Sequence, residues 1–155
     1  MSRITSVLAL LSSPVLGAYT WDETANALPQ FATAAARSDF STYMDGVTPA
    51  IATADKTCLL SWIDAIKVAT AIPATKLSGI CADTTSAAIV TKITLTTAPT
   101  LTTPCTGSTK TLANTYSTIA DYFLGLKTAG TICAASSAFT PSILTALAAV
   151  GLALI

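Results

Sequence analysis

Four cysteines constrain the fold of this chain more than any other feature. Cys58, Cys81, Cys105 and Cys133 follow one another at separations of 23, 24 and 28 residues. Structural zinc sites use pairs of ligands only a few residues apart, so these gaps argue against a local zinc site and no metal is expected. Disulfides are the other common use of cysteines in small domains. Four cysteines allow three complete connectivities, and the spacing leaves all three open.

The N-terminus has the pattern of a secretory signal peptide over residues 1–17. Arg3 precedes an apolar run, and Val15 and Gly17 occupy the third and first positions before a plausible cleavage site. Because secreted proteins pass through an oxidising compartment, this prediction makes disulfides the expected state of the cysteines. The alternative is a buried N-terminal helix in a cytosolic protein with four free thiols.

The C-terminus is a second uncharged segment, because no residue after Lys127 carries a side-chain charge. From Pro141 onwards the chain is mostly apolar, but as a helix it would reach only about 22 Å, short of the ~30 Å core of a bilayer. The small residues at 134–138 suit the attachment site of a glycosylphosphatidylinositol (GPI) anchor, where the tail is exchanged for lipid. We therefore expect residues 138–155 to be a GPI signal, with a retained core helix as the alternative.

Removing both ends leaves a domain over residues 18–137, for which the apolar pattern predicts four to five helices. Thr20 and Glu23 have the spacing of a capping box, so a first helix is expected to begin near Trp21, and Pro29 is expected to break or kink it. A second, short helix is expected to carry on one side Phe40, Tyr43 and Met44.

Three further helices and one loop complete the predicted domain. The spacing of apolar residues predicts helices over residues 56–70, 86–95 and 112–126, with a strand as the alternative for the second. Asp83 or Thr84 is the expected N-cap of the second, and Gly130 the expected C-cap of the third. Residues 94–106 are too rich in Thr and Pro for a helix. The sequence thus predicts a small all-α domain, held by disulfides, with one Thr/Pro-rich loop.

The composition argues against several classes of function. Eight Lys and Arg balance eight Asp and Glu without any run of like charge, so nucleic-acid binding has no electrostatic basis. The chain has no histidine, which removes the commonest general base and metal ligand at neutral pH. A Ser or Thr hydroxyl without a nearby base is not an activated nucleophile. We therefore expect neither an enzyme nor a bound cofactor.

Three stretches of the domain together match the pattern of a known family. The first runs from Cys58 through Ala-Ile-Pro-Ala-Thr at 71–75 to Cys81, and the second is residues 86–95 followed by a proline and Cys105. The third joins Tyr116 and later aromatic residues to the last cysteine. Together they resemble the elicitins, small secreted oomycete proteins that bind sterols and other lipids.

The cysteine pattern departs from that family. Elicitins have six cysteines in three bridges, whereas this chain has four; the fourth family position falls on Ser86, and no cysteine precedes Cys58. The resemblance therefore implies a bridge between Cys81 and Cys133. Cys58 and Cys105 have each lost the family partner, and they either pair with one another or remain free.

The resemblance also implies a hydrophobic cavity between helices that takes a sterol or fatty acid. Such a cavity needs apolar walls and a polar group to orient a ligand hydroxyl, which Tyr116 or Tyr122 could supply. The alternative for each wall residue is ordinary core packing, since a helical apolar stripe is normally core. The predicted ligand-binding residues are Leu77, Ile80, Ile89, Ile93, Tyr116, Ile119, Tyr122, Phe123 and Leu126.

Two functions follow as hypotheses from different classes. The resemblance implies a secreted or surface-anchored lipid carrier that also elicits plant defence through a plant receptor. The composition instead suggests a Thr-rich, GPI-anchored structural or adhesive surface protein, which displays residues 94–106 and binds no ligand. Both hypotheses place the protein outside the cell, in contact with a membrane only through a lipid anchor.

Overall fold

The computed structural model describes residues 21–103 and 105–133, which form α-helices and one 3₁₀-helix and contain no β-strand. This part of the chain is all-α, as the sequence predicts. The predicted signal peptide and the predicted C-terminal tail lie outside the described residues. The 3₁₀-helix is Leu28–Ala32, and the α-helices are α1 (Ala34–Gly46), α2 (Thr53–Lys67), α3 (Leu77–Ile80), α4 (Ser86–Ile93) and α5 (Leu112–Thr128).

The segment that follows Trp21 is not helical, so the predicted start of a first helix there is wrong. The Asp22 carboxylate accepts hydrogen bonds from the side chain and the backbone N–H of Thr24, at 2.7 and 2.8 Å, and these bonds lower the pKa of Asp22. They close a turn instead of a helix. The backbone then pairs with a distant segment, as the N–H of Leu77 donates to the carbonyl of Ala25 at 3.0 Å. Long-range pairing outweighs local helix propensity here.

Helix α1 begins with three alanines at residues 34–36 and continues through the residues of the predicted second helix. Pro29 lies at the start of the 3₁₀-helix, where its missing N–H interrupts no hydrogen bond. Among the described residues no helix precedes this one, so the predicted break or kink at Pro29 is wrong. A new helix begins after Thr33, whose hydroxyl oxygen accepts from the N–H of Ala36 at 3.1 Å. The inner face of α1 buries Phe40 and Met44.

Helix α2 begins and ends about one turn earlier than predicted and is joined to α1 by ion pairs. Arg37 donates to both carboxylate oxygens of Asp64 at 2.9 and 3.0 Å, and Lys67 lies 3.0 Å from the same group. Partial burial would raise the pKa of Asp64, but the bonds from these two cations outweigh it and lower the pKa. The Arg37–Asp64 ion pair holds the outer sides of α1 and α2 together.

Helix α4 forms where the sequence predicts a helix, but its N-cap is one residue later than expected. The side chain of Thr85 accepts from the N–H of Ala88 at 3.3 Å, so Asp83 and Thr84 do not cap it. Asp83 instead accepts from the Lys92 ammonium at 2.9 Å. The strand alternative for this segment is wrong. The short helix α3 before it was not predicted.

Helix α5 has clear signals at both ends. Thr111 and Asn114 form a reciprocal capping box at its start. After its end, Gly130 adopts a φ of 74°, and the N–H groups of Gly130 and Thr131 donate back to the last turn at 3.0 and 2.9 Å. This arrangement is the Schellman motif, in which a left-handed glycine ends the helix. Gly130 therefore ends the helix as predicted.

Two disulfides pair all four cysteines, Cys58 with Cys105 and Cys81 with Cys133. The second is the bridge that the resemblance implies, and the first joins the two cysteines that the resemblance leaves without partners. The Cys58–Cys105 bridge fastens the Thr/Pro-rich loop to α2. The loop contains no helix or strand over its described residues, as predicted.

The core lies between α5 and the elements that surround it. Helix α4 packs along α5, while α1, α2 and the 3₁₀-helix cover the remaining sides. Apolar side chains from all of them form one buried cluster. Among the described residues, no helix is both long and apolar enough to cross a bilayer.

Candidate ligand-binding site

All nine predicted ligand-binding residues lie in the core cluster, and none is more than 4 % exposed. Leu77 and Ile80 come from α3, Ile89 and Ile93 come from α4, and the rest come from α5. The fold thus brings together residues that the sequence places in three separate segments. They pack against one another as core, and their binding of a ligand stays a prediction.

The hydroxyl of Tyr116 is already engaged within the protein. It accepts a hydrogen bond from the backbone N–H of Leu95 at 3.2 Å, in buried surroundings at the start of the Thr/Pro-rich loop. Burial raises the pKa of Tyr116, and the bond from Leu95 offsets this only in part. Tyr116 is therefore a neutral phenol whose main role in this arrangement is to hold the loop against α5.

The hydroxyl of Tyr122 has no hydrogen-bond partner among the described residues, although the side chain is almost completely buried. Burial raises the pKa of Tyr122 far above its usual value, and the nearby charge of Asp39 and the phenol of Tyr43 raise it further. A buried hydroxyl without a partner costs about 1–3 kcal/mol. Of the two predicted hydroxyl groups, Tyr122 is thus the one that remains available to a ligand.

Tyr122 lies at the centre of an aromatic cluster of six rings, which consists of its own ring and the five rings around it. Its ring centroid lies between 4.9 and 6.3 Å from those of the other five. These contacts are mostly edge-on or tilted, as aromatic rings prefer. The five neighbours are Trp21, Phe31, Phe40, Tyr43 and Phe123.

A surface cleft of about 410 Å³ reaches this cluster at Tyr43, and we refer to it as the Tyr43 cleft. Tyr43 lines the cleft, and its ring lies 4.9 Å from the ring of Tyr122. The side chain is half-buried, and burial together with the charge of Asp121 raises the pKa of Tyr43. The other lining residues are Val47, Thr48, Pro49, Ile51, Thr118 and Asp121.

A second concave surface lies between the end of α2 and the Thr/Pro-rich loop. Two adjoining hollows of about 310 and 490 Å³ share Ala65, Val68 and Thr100 as lining residues. Val68 is 73 % exposed, which is unusual for a large apolar side chain in this part of the chain. None of the nine predicted residues lines these hollows or the Tyr43 cleft, and no buried unpaired polar atom lines them among the described residues.

Of the five aromatic neighbours of Tyr122, the sequence analysis identified Phe123 alone as part of the candidate site. Helical spacing correctly places Phe40 and Tyr43 near one another on α1. It cannot show that this face of α1 meets Tyr122, because that contact joins residues far apart in the chain. A surplus of aromatic residues before the first cysteine is the one signal that the sequence offers for it.

Comparisons with known proteins identified no relative of this chain. A scan against protein-family models, a search of curated proteins and a search of solved structures each found no match.

Proposed function

We propose that this protein is a secreted, elicitin-like carrier that binds one sterol, or another lipid with a single hydroxyl group. The observation that carries the proposal is the Tyr122 hydroxyl, which is buried among aromatic rings and unpaired in the described part of the chain. A ligand hydroxyl would supply the missing hydrogen bond and remove its free-energy cost. A sterol combines one hydroxyl with a rigid apolar body, which suits an apolar site with one orienting polar group.

Binding requires the core to open, because Tyr122 is only 1 % exposed. Tyr43 is the side chain that lines both the Tyr43 cleft and the aromatic cluster. Rotation of Tyr43 away from Tyr122 would join the cleft to the cluster and give a ligand access to the Tyr122 hydroxyl. The ligand would then contact rings of the aromatic cluster. Without a ligand, these rings pack against one another.

The two disulfides support the extracellular part of the proposal. Such bridges persist in oxidising compartments and are rare in the cytosol. They agree with a signal peptide at residues 1–17 and with a protein that is either released or held by a GPI anchor. Elicitation of plant defence through a plant receptor belongs to the same proposal and rests on the resemblance alone.

A fluorescent-sterol titration of the full chain, secreted from a eukaryotic host with its disulfides formed, tests the proposal. We expect saturable one-to-one binding. Tyr122→Phe should weaken the affinity by about five- to tenfold, because it removes one hydrogen bond worth about 1 kcal/mol. Tyr116→Phe is the matched control and should change the affinity by less than about twofold, because the Tyr116 hydroxyl is engaged by Leu95.

Two results would contradict the proposal at different levels. Absence of saturable binding to sterols and to a fluorescent fatty acid would exclude a lipid carrier. Equal weakening by the Tyr122 and Tyr116 variants would retain lipid binding but reject Tyr122 as the group that orients the ligand.

The second candidate is a surface-coat or adhesive protein, favoured by the exposed threonines of residues 94–106. Such a protein should remain on the cell surface and be released by phosphatidylinositol-specific phospholipase C. It should bind no sterol. Release without sterol binding would favour this candidate over the carrier.

A further inference from the structure

The Thr/Pro-rich loop displays a dense run of threonines to solvent on irregular backbone. Every threonine of this loop is exposed. No helix or strand includes any of them. They are Thr94, Thr96, Thr97, Thr100, Thr102, Thr103 and Thr106.

The hydroxyl groups of six of these threonines are also chemically available. Thr94 donates to the carbonyl of Val90 at 2.7 Å, but the other six make no hydrogen bond with another described residue. Helical threonines behave differently: the hydroxyls of Thr115, Thr118 and Thr128 each donate to a backbone carbonyl one turn earlier. A hydroxyl in the loop can therefore react without first losing an internal bond.

The loop is held in place at both ends, so its exposure does not depend on local unfolding. Near its start, Leu95 is buried and its N–H donates to the hydroxyl oxygen of Tyr116. Near its end, Cys105 is bonded to Cys58 on α2. Between these two points the chain is irregular and contains Pro99. An enzyme can bind such a segment as it stands on the folded surface.

We propose that this loop is a site of O-linked glycosylation. The Thr Oγ attacks the anomeric carbon of a phosphate-activated sugar, forming a new C–O bond while the bond from that carbon to the phosphate oxygen breaks. The phosphate group leaves with the electron pair, and the hydroxyl proton passes to a base of the transferase. Nothing is oxidised or reduced.

A sugar is favoured over a phosphoryl group by the surroundings of the loop. The disulfides place the folded domain in an oxidising compartment, where sugar transfer to Thr/Pro-rich segments is common. No charged side chain lies between Lys92 and Lys110, so the loop itself supplies no cation to pair with an added phosphate. The inference rests on the secreted location in the proposed function but not on lipid binding.

Trypsin isolates the whole loop in one fragment, because Lys92 and Lys110 bracket it. We would secrete the full chain from a eukaryotic host, reduce and alkylate it, and measure the fragment of residues 93–110 by mass spectrometry. Mass shifts of whole sugar units are expected on it, and electron-transfer fragmentation should place them on the six threonines with free hydroxyls.

The neighbouring fragment of residues 111–127 is the matched control, because it carries Thr111, Thr115 and Thr118 with engaged hydroxyls. It should keep its unmodified mass. A secreted, fully disulfide-bonded chain with no sugar on residues 93–110 would overturn the inference, as would equal modification of the control fragment or retention of the unmodified chain inside the cell. Sterol titration of the same secreted protein reports on the lipid-carrier proposal separately.

Discussion

Two tyrosines on the inner side of α5 differ in what their hydroxyl groups contact. Tyr116 accepts from the Leu95 N–H at 3.2 Å, whereas Tyr122 has no partner among the described residues. Burial raises the pKa of both groups, so both phenols are neutral across the physiological range. Comparing variants of the two tyrosines therefore distinguishes the effect of a hydroxyl that is bonded within the protein from the effect of one that is not.

Replacing each tyrosine by phenylalanine should change stability in different ways. Tyr116→Phe leaves the buried N–H of Leu95 without a partner, so we expect the free energy of unfolding to fall by about 1–2 kcal/mol. Tyr122→Phe removes a buried hydroxyl that has no partner, so stability should stay the same or rise by up to about 1 kcal/mol. Urea unfolding followed by circular dichroism measures both. Equal destabilisation by the two variants would show that Tyr122 has a partner in solution.

The sequence could identify these residues but not their hydrogen bonds. Helical spacing predicts that Tyr116 and Phe123 face inward, and both are buried. The partner of Tyr116 lies 21 residues earlier in the chain, at Leu95. No local pattern encodes that contact, because it depends on how the loop crosses α5. For the same reason the sequence treats Tyr116 and Tyr122 as equivalent candidates.

At the scale of whole elements, helices with a clear apolar periodicity are the ones that the sequence predicts well. Helix α5 begins at a capping box that involves Thr111, and it ends at Gly130, whose positive φ suits glycine. The segment after Trp21 has an equally plausible start signal but forms a turn and pairs with residues near Leu77. A cap motif is a local preference worth about 1 kcal/mol, which backbone pairing with a distant segment can outweigh.

Two glycines, one within α5 and one just after its end, should respond to alanine with opposite signs. Gly130 lies in the left-handed region at φ 74°, which an alanine adopts at a cost of about 1–2 kcal/mol, so Gly130→Ala should lower stability. Gly125 lies within the helix, where an added Cβ would meet no atom within 4 Å. Gly125→Ala should therefore raise stability by about 0.5–1 kcal/mol.

Thermal unfolding of both variants, monitored by the helical signal at equal protein concentration, measures this difference. A rise in melting temperature for Gly125→Ala with a fall for Gly130→Ala supports the observed end of α5. A rise for both would mean that α5 continues beyond Gly130 in solution.

At the scale of the whole molecule, the two disulfides tie distant parts of the chain into one unit. Cys58–Cys105 spans 47 residues and joins α2 to the Thr/Pro-rich loop. Cys81–Cys133 spans 52 residues and joins the end of α3 to the chain beyond α5. The spans overlap in sequence, so neither bridge stabilises a separate subdomain. The sequence alone leaves three connectivities because the choice depends on how the helices pack around α5.

Removing either disulfide as an alanine pair should lower the free energy of unfolding by about 4 kcal/mol, since each bridge closes an unfolded-state loop of nearly the same length. Each pair has one buried cysteine, Cys58 or Cys133, so the packing loss should also be similar. Urea denaturation measures both variants, and the dependence on urea should steepen because the unfolded chain is less compact. A domain of this size has a total stability of about 5–15 kcal/mol, so reduction of both bridges should bring it close to unfolding without denaturant. A difference of more than about 2 kcal/mol between the two variants would contradict the loop-entropy account and would indicate that one bridge holds native contacts that the other does not.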